Sequence, residues 1–157
     1  MKIVQILSNK KSRPVTDADV LTVVEAIDPM VDICNTKIGP YVGGVALAHC
    51  QIERKDPMRF YVTKEGKVFI NPVILRRSNH PVTNEEGCLS YIHRYPKPVE
   101  RSNKVEIEYQ VLENAEYVVG DPHKYKLSQI LTTNLSGLQA RIVQHEIDHF
   151  EGINIYQ

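Results

Sequence analysis

Near the end of the chain, apolar and ligand-type residues recur at the spacing of one helix face. Leu138, Ile142, His145 and His149 follow one another at steps of four, three and four, the period of an amphipathic α-helix. Ser136 is placed to cap such a helix and Gly152 to stop it, so the pattern predicts a helix over about 137–150. A second stripe, Val20, Val23, Val24 and Ile27, predicts a helix capped by Thr16 or Asp17 and running to Ile27, with Asp28-Pro29 as a stop or a fresh N-terminus. Elsewhere the period drops to two. Val105 to Val111 alternates strictly, predicting a strand with one buried and one wet face. Shorter strand candidates are Ile3–Leu7, Phe60–Thr63, Lys67–Ile70 and Val73–Leu75, with Glu65-Gly66 as a turn and Tyr117–Val119 as a partner for the alternating strand. Asn35 to Gly44 reads as a loop. Strands mostly precede the last helix instead of alternating with helices, so the expected class is α+β with antiparallel sheets, in a single domain over 1–157.

Composition narrows the partners more than the fold. Lys plus Arg and Asp plus Glu are 19 each, for a formal net charge of zero, which favours neither nucleic acid nor an anionic membrane. No stretch approaches 18 apolar residues, and Met1 to Gln5 lacks the apolar core of a signal peptide, so a cytoplasmic protein is expected. The 3 cysteines, Cys34, Cys50 and Cys88, are odd in number and widely spaced, a poor disulfide framework that leaves a thiol for other chemistry.

The helix near 137–150 also carries His145-Glu146-Ile147-Asp148-His149. HExxH stacks two imidazoles on one helix face, where both reach the same cation, with the glutamate beside a bound water as general base. A chain with 6 histidines acquires this pattern by chance in roughly 2% of cases. A catalytic metal needs a third protein ligand. The metzincin position holds Ile155, and the only carboxylate downstream, Glu151, points to another helix face, so the ligand must lie upstream. The candidates are Cys34, Cys50, Cys88, His49, His80, His93, His123 and carboxylates. Cys88 stands out because Gly87 precedes it and a thiolate is an excellent metal ligand.

Three segments, Gly44-Val45-Ala46-Leu47-Ala48-His49-Cys50-Gln51, Glu86-Gly87-Cys88-Leu89-Ser90 and Gln144-His145-Glu146-Ile147-Asp148-His149, resemble the signature motifs of peptide deformylases, in that family's order. Ile70-Asn71-Pro72 and Val99-Glu100-Arg101 are smaller matches. The chain departs from the family pattern in having Ala46 for a glycine and His49 for an alanine, and it is similar to shortened members, including some carried by bacteriophages. The resemblance implies that Cys88, His145 and His149 hold one divalent metal, ferrous iron physiologically, with zinc, nickel or cobalt as substitutes. It implies Glu146 as general base, with the Gln51 amide and the Leu89 backbone N–H as oxyanion donors. The substrate implied is the N-formyl group on the initiator methionine of nascent chains at the ribosome, released as formate by a monomeric enzyme in the bacterial cytoplasm, its own or, for a phage product, that of the host. Leu138 and Ile142, core residues that also line a methionine pocket, would act with Val45 and Gly44; Arg101 would touch the peptide backbone, and Arg141 the pocket rim. His49 reads as a packed or hydrogen-bonded histidine, Cys34 and Cys50 as small buried apolar residues, and His80, His93 and His123 as solvated. A metallopeptidase is disfavoured by the missing ligands. The alternative from another class is an impaired deformylase-like protein that binds metal or peptide without turnover.

Overall fold

In a computed structural model of the chain, the described residues are 10–38, 41–114 and 124–157. The strand candidate Ile3–Leu7, the pair Tyr117–Val119 and His123 lie outside them. A short turn at Asp17–Asp19 leads into α1 (Val20–Asn35). Then come β1 (Lys37–Ile38), β2 (Tyr41–Val42), β3 (Ala46–Ala48), β4 (Phe60–Thr63), β5 (Val68–Arg77), β6 (Pro81–Glu86) and β7 (Lys97–Ser102). The remaining elements are β8 (Lys104–Gln110), β9 (Leu112–Asn114), β10 (Tyr125–Leu127), β11 (Leu131–Ser136) and α2 (Gly137–Phe150). Five strands form one sheet in the order β11-β8-β5-β4-β3, all neighbours antiparallel, and β6 pairs with β7 as a separate hairpin.

Strand alternation explains why the two helices take opposite faces of that sheet. Leu47, Phe60, Val62 and Ile70 point to one face and pack with Val23, Ala26, Met30 and Cys34 of α1. Ala46, Ala48, Tyr61, Val105 and Ile107 point to the other and pack with Ala140, Val143 and Phe150 of α2. Successive side chains of a strand face opposite ways, so β4, covered on both sides, is apolar at Phe60, Tyr61 and Val62 without alternating. β8 keeps the expected alternation: Val105 and Ile107 are buried while Glu106 and Glu108 are half-buried. On its other side α2 meets the hairpin, where the Gln144 amide donates to Ser102 O at 2.9 Å.

The first helix does not stop at Pro29. It continues to Asn35 because Met30 and Cys34 extend the buried stripe of Val23 and Ala26, and burying those side chains outweighs the one backbone hydrogen bond a proline removes. The two predicted strands Lys67–Ile70 and Val73–Leu75 are one strand, β5, with a register shift between Ile70 and Val73. Asn71 sits at that bulge with φ 51, its side chain exchanging hydrogen bonds with the backbone of Val15 at 2.8 and 2.9 Å. β6, β7 and β11, which carry little apolar periodicity, went unforeseen; β6 is exposed at every position except Glu86.

His49 is buried, as expected of a packed histidine. Its ring stacks on Phe60 at 4.7 Å, and its Nδ1 accepts the Met58 N–H at 3.0 Å. Burial pulls its pKa down to about 4, and protonation of Nδ1 would set two donors against each other. Between pH 6.5 and 4 the unfolded chain therefore takes up a proton the native state refuses, so stability falls with pH, by about 3 kcal/mol from this group. Urea unfolding across that window is expected to show a shallower loss for His49→Ala than for the wild type. Parallel curves would remove His49 as the cause.

Candidate active site

The site forms where α2, the end of the β6–β7 hairpin and the end of β3 converge. The helix starts at an extended Ser136, in the foreseen N-cap position although without a side-chain capping bond, and its i, i+4 geometry brings the His145 and His149 rings to 4.5 Å. Cys88 follows β6 in extended conformation, just before the short turn Leu89–Tyr91. One ligand atom each from Cys88, His145 and His149 lies within 4.8 Å of the others, and Cys88 Sγ is 3.4 Å from His149 Nε2.

The far side of each imidazole is fixed. His145 Nδ1 faces Glu86 Oε2 at 2.9 Å, and His149 Nδ1 faces the Ile153 carbonyl at 3.2 Å. Both partners act as acceptors, so Nδ1 of each ring carries a proton and Nε2 is the nitrogen left toward the shared space, the arrangement metal-ligating histidines require. Burial alone would lower the His145 pKa, but hydrogen bonds with Cys88 and Glu86 carry it up to about 10. His149 is driven well below the usual range by burial and by its neighbour His145.

Glu146 lies at the same place, 3% exposed, and its Oε2 has no hydrogen-bond partner among the described residues. Burial raises its pKa to about 7. An orphaned buried carboxylate oxygen beside one sulfur and two imidazoles is a donor set that fits a divalent cation with an oxygen ligand of its own. Gln51, 2% exposed, donates from Nε2 to Ser90 Oγ at 3.1 Å and lies 3.7 Å from Cys88 Sγ, while its Oε1 accepts the Ala48 N–H at 2.8 Å. The amide is thereby locked with its donor end toward the cluster.

A cavity of about 350 Å³ opens onto this group. Gly44, Val45, Leu89, Leu138, Arg141 and Ile142 line it, and it reaches Gln51, Cys88, His145 and Glu146. Two of the site residues singled out in the sequence are not part of this lining, the ligand His149 and Arg101. The Arg101 guanidinium is buried, bonded to Glu86 at 2.7 and 2.9 Å and to Asp148 at 2.7 Å, so it positions the ligand helix instead of facing a peptide. Leu138 is 63% exposed at the mouth and is not a core residue. His80 and His93 are exposed. Cys34 and Cys50 are buried thiols whose pKa burial pushes up to about 12.

Glu86 is the residue whose part the sequence did not disclose. Burial would raise its pKa, but hydrogen bonds from His145 and Arg101 hold it well below the usual carboxylate range, and Arg141 adds a bond at 2.6 Å. A motif acid two residues before a cysteine was the available signal. Glu86→Ala would leave two arginines without their carboxylate. The expected cost is about 3 kcal/mol or more of stability, with metal affinity lowered about 10- to 100-fold by the loosened His145 ring. Chelator competition measures the second effect; unchanged affinity would show that His145 needs no help from Glu86.

The model of the polypeptide deformylase family matches residues 2–157. The chain belongs to that family. A curated relative, peptide deformylase 1 of Clostridium perfringens, is 40% identical over 88 residues, covering 56% of this chain. The match takes in 49% of that relative, about half its length. Among solved structures, the peptide deformylase of Thermotoga maritima has a TM-score of 0.75 at 28% identity, covering 99% of this chain and 94% of that one. The deformylase of the Vibrio parahaemolyticus bacteriophage VP16T, solved in complex with actinonin, has a TM-score of 0.72 at 26% identity, covering 99% and 100%. Deformylases are metal-dependent, and the Cys88, His145 and His149 group is where this member of the family brings metal-ligand atoms together. No described helix is long and apolar enough to cross a membrane.

Proposed function

We propose that this chain removes the N-formyl group from the initiator methionine of nascent polypeptides, releasing formate. The observation that carries the reading is the buried, unpartnered Glu146 oxygen set beside Cys88, His145 and His149 at the end of a largely apolar cavity. A divalent cation held by those three residues would supply Lewis acidity and make water nucleophilic near neutral pH. The donor set suits ferrous iron, with zinc, nickel or cobalt as substitutes. Glu146 takes the proton of the attacking water, whose oxygen bonds to the formyl carbon. Gln51 Nε2 and the Leu89 N–H donate to the formyl oxygen as it gains charge. When the carbon–nitrogen bond breaks, Glu146 returns the proton to the leaving nitrogen, giving formate and a free amine.

Gly44, Val45, Leu138 and Ile142 would receive the methionine side chain. The protein would act as a monomeric single domain on chains emerging at the ribosome, in a bacterial cytoplasm or, for a phage product, in the host's. A binder without turnover needs no buried general base, and keeping the buried Glu146 Oε2 without a hydrogen bond would only cost stability. The test is formate release from formyl-Met-Ala-Ser, measured anaerobically with iron or with nickel, beside Glu146→Ala. Formate no higher than the variant's background rejects the proposal, and tight peptide binding without formate would favour the impaired reading.

A further inference from the structure

Beyond α2 the backbone turns back toward the cavity. The helix ends at Phe150, and Gly152, with φ 77, reverses the chain so that its N–H reaches His149 O at 3.0 Å and the Ile153 N–H reaches Asp148 O at 2.9 Å. Asn154 and Ile155 are buried, and Asn154 Oδ1 accepts the Tyr156 N–H at 2.9 Å. Tyr156 is thereby tied to the last turn of the helix that carries His145 and His149.

Its ring and hydroxyl engage one wall of the active-site cavity. Leu89, Tyr91, Ile92, Arg94 and Pro96 line that wall. Two backbone bonds there, Tyr91 N–H to Cys88 O and Arg94 N–H to Tyr91 O, both 2.9 Å, close within the segment itself. Tyr156 joins it to a different element. Its Oη donates to Tyr95 O at 3.1 Å, its ring meets that of Tyr91 edge-on at 5.2 Å, and Arg94 Cζ lies over its ring at 5.3 Å and over that of Tyr91 at 5.9 Å. α2 contributes Arg141, Ile142 and His145 to the same cavity. We infer that Tyr156 is a positioning residue: its ring clasps the segment 89–96 to the end of the ligand helix and so fixes a wall against which the substrate binds. The identity of that substrate rests on the deformylase reading above; the clasp itself does not.

The test reads amide hydrogen exchange and the split of KM against kcat for formyl-Met-Ala-Ser, both on the nickel-loaded protein. Tyr156→Ala should expose the Arg94 N–H to exchange about ten-fold faster while the amides of α2 stay as protected as in wild type. A wall in its binding conformation for about one-tenth of the time weakens apparent affinity by the same factor. KM should therefore rise about ten-fold, with kcat within about three-fold of wild type and metal content unchanged. Tyr156→Phe keeps the ring and loses only the exposed bond to Tyr95 O. Both readouts should then stay within about three-fold of wild type, the low end of what one hydrogen bond contributes.

A folded, metal-loaded Tyr156→Ala protein with wild-type exchange at Arg94, or with an unchanged KM, would overturn the inference. So would exchange accelerated equally in α2, which would make Tyr156 a general support of the fold, or a Tyr156→Phe protein shifted as far as the alanine variant, which would give the role to the hydroxyl. If Tyr156→Ala does not fold, Arg94→Gln decides. Its side chain is exposed, so the core stays intact, and losing the cation over two rings should speed exchange at the Tyr91 N–H about three-fold. Unmoved exchange there rejects the clasp. A wild-type protein that releases no formate from the methionine peptide would instead refute the deformylase reading, with the exchange measurements still testing the clasp.

Discussion

Glu146→Gln is expected to lower kcat/KM for formyl-Met-Ala-Ser by about 10³-fold while the protein still retains its metal, because an amide of nearly equal shape cannot carry the proton from water to the leaving nitrogen. The same substitution should stabilise the metal-free protein at alkaline pH. Burial raises the Glu146 pKa from 4.5 to about 7. Between those values the unfolded chain has released its proton while the native state holds it, so stability falls as pH rises through the window. Above it, the buried charge costs about 3 kcal/mol. Urea unfolding of the metal-free forms at pH 8 should therefore rank Glu146→Gln above wild type. The opposite ranking, or a variant with wild-type turnover, would remove Glu146 from the role of base.

Cys88→Ala is expected to abolish metal retention. Two imidazoles on one helix turn leave a cation with too few protein ligands, and affinity should fall more than 100-fold, beyond what the loss of an outer hydrogen bond costs. Metal content after desalting reads this directly: about one equivalent in wild type and none in the variant. A second readout is thermal. Metal at about 1,000 times its dissociation constant stabilises a folded protein by about 4 kcal/mol, so added nickel should raise the melting temperature of wild type and leave that of Cys88→Ala in place. One equivalent still held tightly would mean that another residue supplies the third ligand.

The histidines and Glu146 were legible in the chain because a helix turns spacing into direction: positions 145 and 149 share a face whatever packs against them. Cys88 was legible only through its motif, since nothing in the spacing of residue 88 from residue 149 says that they meet. Arg101 shows the limit of such carry-over. Its position matches a motif, yet its guanidinium is fully engaged by Glu86 and Asp148, and hydrogen bonds across three elements cannot be read from sequence. The hairpin strands β6 and β7 escaped for a different reason: an exposed ladder such as Pro81–Glu86 is held by its partner strand, not by a buried face, and so leaves no period in the hydrophobic pattern.

What the sequence determined by itself was local: α2 and its ligand face, the alternation of β8, the continuous apolar run of β4, and a balanced charge with no apolar run approaching 18 residues. Each follows from geometry within a few residues. Only the tertiary structure decided that α1 runs through Pro29, that Glu86 orients His145, that Arg141 turns its charge to the hairpin, and that Glu146 Oε2 is left without a partner among the described residues. Those outcomes depend on which buried groups find partners from distant elements, and burial makes each hydrogen bond found or missed count for more than any local preference.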